Sequence, residues 1–309
     1  MIEKNNISSQ LKEINNNDNF SWRLIGLYHY SKKKNKNYQT IQIEFEDTNE
    51  LKDYKNKIIN DFLNFKLNKI ESINPFNGYN PKIEMDFIRT EDPLIKNNLD
   101  LLKKAINHTD NDLDLQKCNG YILIGEYKNK SITFFKSAKP VMNTKKRTTF
   151  ISPHQQLKKY EKPIYRFYYT FDCFILDNVL YCLNLNFESM FGITSTMKNI
   201  QKEAINDVAN SNLLQDDSLK LYCNHSGKNE YSRKFVKYNT EIVEKMKIDK
   251  KYRNTIIEKL NLSTNSNGEI ILKDEKDCTV FTSFLCDRLA RDPIQPDNLL
   301  TVSNKHNIN

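Results

Sequence analysis

The stretch from residue 120 to 185 constrains this chain most. Residues 121–126 and 132–136 are strand-like runs on either side of Asn129-Lys130, and residues 174–176 and 179–183 flank Asp177-Asn178 in the same way. Asn and Asp tolerate the left-handed backbone that a two-residue turn requires, so both pairs predict antiparallel hairpins. Between the hairpins, Tyr165, Phe167, Tyr169 and Phe171 alternate with Arg166, Tyr168 and Thr170. That is the period of a half-buried strand. The first four rings are expected to face a core, which leaves Tyr168 beside Arg166 as the one surface aromatic. The region therefore predicts an antiparallel sheet with short connections.

The flanks supply more strands and the helices. Residues 22–30 and 38–45 read as a strand pair across the polar turn 31–35, and residues 82–87 as a short strand. Leu51, Tyr54, Ile58, Phe62 and Phe65 recur at helical spacing. Asp92-Pro93 offers an N-cap and a first-turn proline to a helix carrying Leu94, Ile95, Leu102, Ala105 and Ile106. After Phe191-Gly192 the pattern turns helical. Met197, Ile200, Ala204 and Val208 form one stripe; Tyr231, Phe235, Tyr238, Ile242 and Met246 form a second. A strand at 269–272 and a helix carrying Val280, Phe284, Leu285 and Leu289 follow. Arg291-Asp292-Pro293 is expected to end the fold, with 301–309 as a loose tail. The predicted class is α+β, an antiparallel-sheet-rich N-terminal and middle region with a mostly helical C-terminal part. Residues 1–190 are expected to form the first domain and 191–309 the second.

Several functions lack their signatures. No apolar run reaches the roughly 18–20 residues that cross a bilayer, and Met1-Ile2-Glu3-Lys4-Asn5-Asn6 lacks the apolar core of a signal peptide. The six cysteines form no CxxC pair, so reduced, mostly buried thiols and a cytoplasmic location are expected. Gly227-Lys228 lacks the upstream glycine of a P-loop, and neither GxGxxG nor GxSxG occurs. The five histidines are isolated. Asp110, Asp112 and Asp114 begin like a calcium loop, but Leu115 stands where glycine is required and Tyr121 where the closing glutamate belongs. No cofactor is expected. One catalytic pattern survives. Asp112 or Asp114, then the strand 121–124, then Glu126 and Lys128, has the order of an Asp…Glu-x-Lys metal-dependent nuclease, in which carboxylates hold Mg²⁺ against the scissile phosphate. A cross-strand charged pair is the plainer account of Glu126 and Lys128.

Charge distribution says more than net charge. The 309 residues carry 47 Lys and Arg against 39 Asp and Glu, a net of +8. From 128 to 166 there are eleven basic residues and one acid, Glu161, for a local net of +10, so the remainder sums to −2. Most charge runs are solvated faces. A single acid in 39 positions favours a polyanion instead. Lys136, Lys139, Lys145, Lys146, Arg147, Lys158, Lys159 and Arg166 are the candidate phosphate ligands, with Arg233, Lys234 and Lys237 as possible auxiliaries. Nearby Thr144, Thr148, Thr149, Ser152 and His154 add hydrogen-bonding groups. Helix-turn-helix and zinc-finger signatures are missing, so backbone binding to duplex DNA without base discrimination is expected. An adaptor whose basic face docks on an acidic protein or an anionic membrane is the remaining alternative.

Gly120-Tyr-Ile-Leu-Ile-Gly125, Ile132-Thr-Phe-Phe-Lys136, Tyr165-Arg-Phe-Tyr-Tyr-Thr-Phe-Asp172, the hairpin 173–184 and Phe187-Glu-Ser-Met-Phe-Gly192 together resemble the KwaB-like proteins of the Kiwa bacterial anti-phage defence system. Phe281-Thr-Ser-Phe-Leu-Cys-Asp-Arg-Leu-Ala290 is similar to that family's C-terminal helix. The resemblance spans residues 20 to 295. It implies a cytoplasmic DNA-binding effector, a homodimer, working with a membrane-embedded KwaA-type protein and peripheral to the inner face of the membrane through that partner. It transfers no catalytic residue. Asp172 and Glu188 match the family pattern; a functional role is one reading of them, and capping or bracing the sheet is the expected one.

Overall fold

The computed structural model describes residues 3–32, 35–78, 84–110, 112–142, 149–151, 158–160, 164–291 and 299–301. The chain divides into two compact units, Met1–Phe76 with Asn80–Ile193, and Asn77–Tyr79 with Thr194–Asn309.

The first unit runs α1 (Lys4–Asn16), β1 (Ser21–Lys32), β2 (Asn35–Ile43), α2 (Thr48–Asp61), β3 (Ser72–Pro75), β4 (Glu84–Arg89), α3 (Lys96–Asn107), β5 (Gly120–Tyr127) and β6 (Lys130–Lys136). It continues through β7 (Val141–Met142), β8 (Thr149–Ile151), β9 (Lys158–Tyr160), β10 (Ile164–Tyr165), β11 (Cys173–Leu176), β12 (Val179–Cys182) and α4 (Phe187–Phe191). Eight strands form one sheet in the order β2-β1-β5-β6-β11-β12-β4-β3, antiparallel except where β3 meets β4. Both predicted hairpins form. Asp177 and Asn178 take positive φ, 49° and 60°, as the tight turn requires. In the other hairpin Tyr127 pairs with Lys130, so the turn is Lys128-Asn129, one residue earlier than expected.

Alternating residues of the central strands sort onto two faces. Tyr121, Leu123, Ile132, Phe134, Phe174 and Tyr181 pack with Ile7, Leu11 and Ile14 of α1 and Tyr54, Ile58 and Ile59 of α2. Ile122, Ile124, Phe135, Cys173 and Leu180, on the opposite side, are buried too. This explains the unbroken apolar run at 121–124, which is the pattern of a strand covered on both faces. The cysteines are free thiols, five buried and Cys223 half-buried.

Three local expectations need correction. The helix predicted from Asp92 starts at Lys96, because the Asp92 carboxylate accepts the Leu94 N–H at 2.8 Å and its carbonyl accepts from Ile95 and Lys96, closing a separate turn. Residues 166–172 are not a ladder strand. The Tyr168 N–H donates to Tyr121 Oη (2.6 Å) and the Tyr168 carbonyl accepts from Tyr54 Oη (2.8 Å), so tyrosine hydroxyls replace a neighbouring strand. Phe171 is buried as expected, yet Tyr165 and Tyr169 are 43% and 49% exposed. Phe65 also points out. A π turn at Phe62–Lys66 widens the helix end, Leu63 and Leu67 take the buried positions, and Phe65 is left 65% exposed.

The second unit holds α5 (Ile193–Ala209), α6 (Asp216–Ser226), α7 (Thr240–Ile248), α8 (Lys250–Lys259), β13 (Ser263–Thr264), β14 (Ile270–Ile271), α9 (Glu275–Leu285), β15 (Leu289–Arg291) and β16 (Leu299–Thr301). Its core gathers Val208, Leu213, Tyr222, Val243, Met246, Ile257, Ile270, Phe281 and Leu285. The long helix predicted through Tyr231 and Met246 is broken into two 3₁₀ turns and α7. Asn239 causes the break: its side chain accepts the Glu241 N–H at 2.9 Å and caps α7. Leu289 lies in β15 rather than on the last helix, and β15 pairs with β16. The fold therefore does not end at Arg291-Asp292-Pro293. Residues 302–309 fall outside the described set. As predicted, the class is α+β, with the large sheet in the N-terminal and middle region and helices toward the C-terminus.

Candidate nucleic-acid interface

The basic stretch begins at the β5–β6 turn. Lys128 is exposed there, its Nζ 5.1 Å from the centre of the Tyr127 ring. Lys130 meets Glu13 at 2.5 Å. Lys139 is exposed. Arg166 is exposed as well; its Nη2 donates to Tyr168 Oη at 2.5 Å and its guanidinium lies 4.9 Å from the centre of that ring. Among the described residues, Lys128, Lys139 and Arg166 have no carboxylate partner. Lys158 and Lys159 lie in β9, opposite Ile151 and Phe150 of β8. Lys145, Lys146 and Arg147 lie outside the described residues.

Lys136 is committed to the fold. At the end of β6 its ammonium sits 3.1 Å from the Asp172 carboxylate, with the Lys136 side chain 15% exposed and that of Asp172 1%. Asp172 also accepts from the Ser137 N–H (2.7 Å), Asn184 Nδ2 (2.9 Å) and Asn186 Nδ2 (3.4 Å). One buried carboxylate thus ties the end of β6 to the loop after β12. Glu188 is buried in the first turn of α4.

Beside this ion pair lies a cleft of about 380 Å³, lined among others by Phe65, Lys66, Lys136, Tyr169 and Thr170. The sequence pattern places Phe65 on a helical stripe and Tyr169 among the inward-facing rings, so neither is expected at the surface.

The auxiliary cations belong to the second unit. Arg233 Nη1 donates to the Gly78 carbonyl at 2.9 Å. Lys234 lies 4.6 Å from the Tyr231 ring centre, and burial, with Arg288 nearby, lowers its ammonium pKa. The buried Arg288 donates to the carbonyls of Asn77, Arg233 (3.1 Å) and Lys234 (3.2 Å). Arg233, Lys234 and Lys237 are all half-buried, and the first two help build an internal brace.

The nuclease residues are spread out. Asp110 accepts the Asp112 N–H at 3.0 Å, and Asp114 caps the 3₁₀ turn Leu115–Lys117 through the Gln116 N–H at 2.8 Å. Glu126 is exposed and pairs with Arg23 at 3.4 Å. At about 3.3 Å per residue, β5 carries Glu126 roughly 20 Å beyond its own first residue, Gly120. Lys128 has left the strand altogether. Among the described residues no group of three or more His, Cys, Asp or Glu is placed to hold a metal ion.

The family described as Kiwa protein KwaB-like matches residues 115–294, more than half of the chain. The chain belongs to this family. Membership makes this KwaB-like chain a component of the Kiwa anti-phage defence system. The match covers β5 to β12, the whole basic stretch and α5 to α9, and it begins well after the residue 20 at which the resemblance was expected to start. No curated protein and no solved structure matches the chain. No helix among the described residues is long and apolar enough to cross a membrane.

Proposed function

We propose that this KwaB-like chain is the DNA-binding effector of its defence system, gripping duplex DNA through phosphates and without base discrimination. Occupied DNA would obstruct phage replication or transcription machinery without being cut. The reading includes a homodimer that works in the cytoplasm with a membrane-embedded KwaA-type partner. The observation that carries it is the local net of +10 over residues 128–166. Lys128, Lys139 and Arg166 support it, being exposed and without carboxylate partners among the described residues. A duplex presents one phosphate charge per about 1.7 Å of axis, so clustered cations release many condensed counterions on binding. The cutting alternative has Asp112 and Asp114 in the loop before β5 and Glu126 near the far end of that strand, paired with Arg23, and gains no support.

The test is a charge reversal. Lys145, Lys146 and Lys158 changed together to Glu are expected to weaken duplex binding equally for unrelated sequences. The slope of log affinity against log salt should flatten by about 0.9 per lost phosphate contact. Fluorescence anisotropy with two duplexes of different sequence measures both. A triple variant that binds like the parent protein would remove the basic stretch as the binding face.

A further inference from the structure

We propose that the cleft between the π turn Phe62–Lys66 and residues 169–171 holds one unpaired nucleotide, its base against Tyr169 and Phe65 and its phosphate at Lys66. This rests on the DNA reading above and adds an unstacked base to the backbone contacts.

The two rings carry the inference. Phe65 is 65% exposed because the π turn hands its buried place to neighbours, and such turns recur at functional sites. Tyr169 is held without being covered. It packs on Tyr54 at 5.8 Å, Tyr54 is anchored by its hydroxyl bond to the Tyr168 carbonyl, and Lys57 Nζ stands 5.9 Å from the Tyr169 ring centre. Both rings line the same cleft, and no ring contact joins them. The cleft they share offers a third planar ring a place against either of them. The space, about 380 Å³, lies at the small end of ligand sites, which suits a single nucleotide.

Charge around the rings fits a nucleotide better than a duplex. Lys57 is neutralised by Asp61 at 3.1 Å and Lys136 by Asp172. Lys66 is then the exposed cation of the cleft without a carboxylate partner among the described residues. One free cation meets one phosphate. The Thr170 hydroxyl, which accepts from Lys136 Nζ at 3.4 Å, keeps its own proton to donate. A base inside a duplex is stacked on both sides and cannot reach the rings, whereas a frayed end, a gap or a single strand offers its bases freely.

A single-stranded oligodeoxynucleotide carrying one fluorescent adenine analogue provides the test. Binding is expected to quench the analogue in the single strand and not in the centre of a duplex. Phe65→Ala and Tyr169→Leu should each weaken single-strand binding by roughly 5- to 150-fold, the range for one stacked base, and change duplex affinity less than twofold. Both side chains are exposed enough that the variants should fold, and a thermal melt checks this. Absence of quenching, or folded variants that hold the single strand like the parent, would overturn the cleft. Free deoxyadenosine monophosphate provides the second arm. Competition far stronger than that of one nucleotide within the strand would overturn the strand as occupant in favour of a free nucleotide. The two readings fail separately: loss of duplex binding with quenching intact sinks only the duplex grip, and the reverse sinks only the cleft.

Discussion

Asp172→Ala is expected to lower the stability of the first unit by about 3 kcal/mol or more. The carboxylate is almost fully buried and accepts from Lys136, the Ser137 N–H, Asn184 and Asn186. Removing one partner of a buried ion pair typically costs about 3–5 kcal/mol, because the other charge and its donors are left in place. The lower end applies here, since Lys136, 15% exposed, can turn toward the cleft and find water. Asp172→Asn retains an acceptor for Ser137 and should lose less. Urea denaturation followed by Trp22 fluorescence gives a clean readout, since Trp22 is the single tryptophan and lies in β1. An Asp172→Ala midpoint equal to that of the parent would mean the carboxylate is not a brace. A functional role for it would then have to be sought.

Arg288→Ala should be comparably damaging to the second unit. The guanidinium is 3% exposed and donates to the carbonyls of Asn77, Arg233 and Lys234. Losing a charged donor costs about 1–3 kcal/mol per hydrogen bond, so removing three of them is expected to cost about 3 kcal/mol or more. Arg288→Lys should rescue little, because an ammonium cannot span three carbonyls with the fixed fork of a guanidinium. Without Arg288 beside it, Lys234 should also titrate closer to an ordinary lysine. Far-UV circular dichroism during denaturation reads the stability effect. If Arg288→Ala unfolds with the parent, the brace is decorative and Arg233 and Lys234 are more available for DNA than their contacts suggest.

Local chemistry was legible in the sequence where short-range rules decide. The Asp177-Asn178 turn and the stripe Met197, Ala204, Val208 follow from φ tolerance and periodicity, as does the β5–β6 hairpin, whose turn falls one residue before the expected Asn129-Lys130. Ile7, Leu11 and Ile14 carry the spacing of α1 amid polar neighbours. Features decided at long range were not legible. Nothing in residues 166–171 announces that Tyr121 and Tyr54 will satisfy the backbone of Tyr168, so perfect alternation imitated a strand. Phe65 fitted the helical stripe, and only the π turn removed it. In the basic stretch the count of charges was plain, but their partners were not. Lys130 is met by Glu13, 117 residues away, and Lys136 by Asp172, 36 away. Charge is read from sequence; its availability is a tertiary property.

The unneutralised cations of residues 128–166 are expected to displace counterions from DNA. Titrating the parent protein against one duplex over a series of salt concentrations tests this most directly. Lys128, Lys139 and Arg166 alone predict a slope of log affinity against log salt of about −2.7, and any contribution from Lys145, Lys146, Arg147, Lys158 or Lys159 makes it steeper. A slope near zero, or no binding at low salt, would contradict the account.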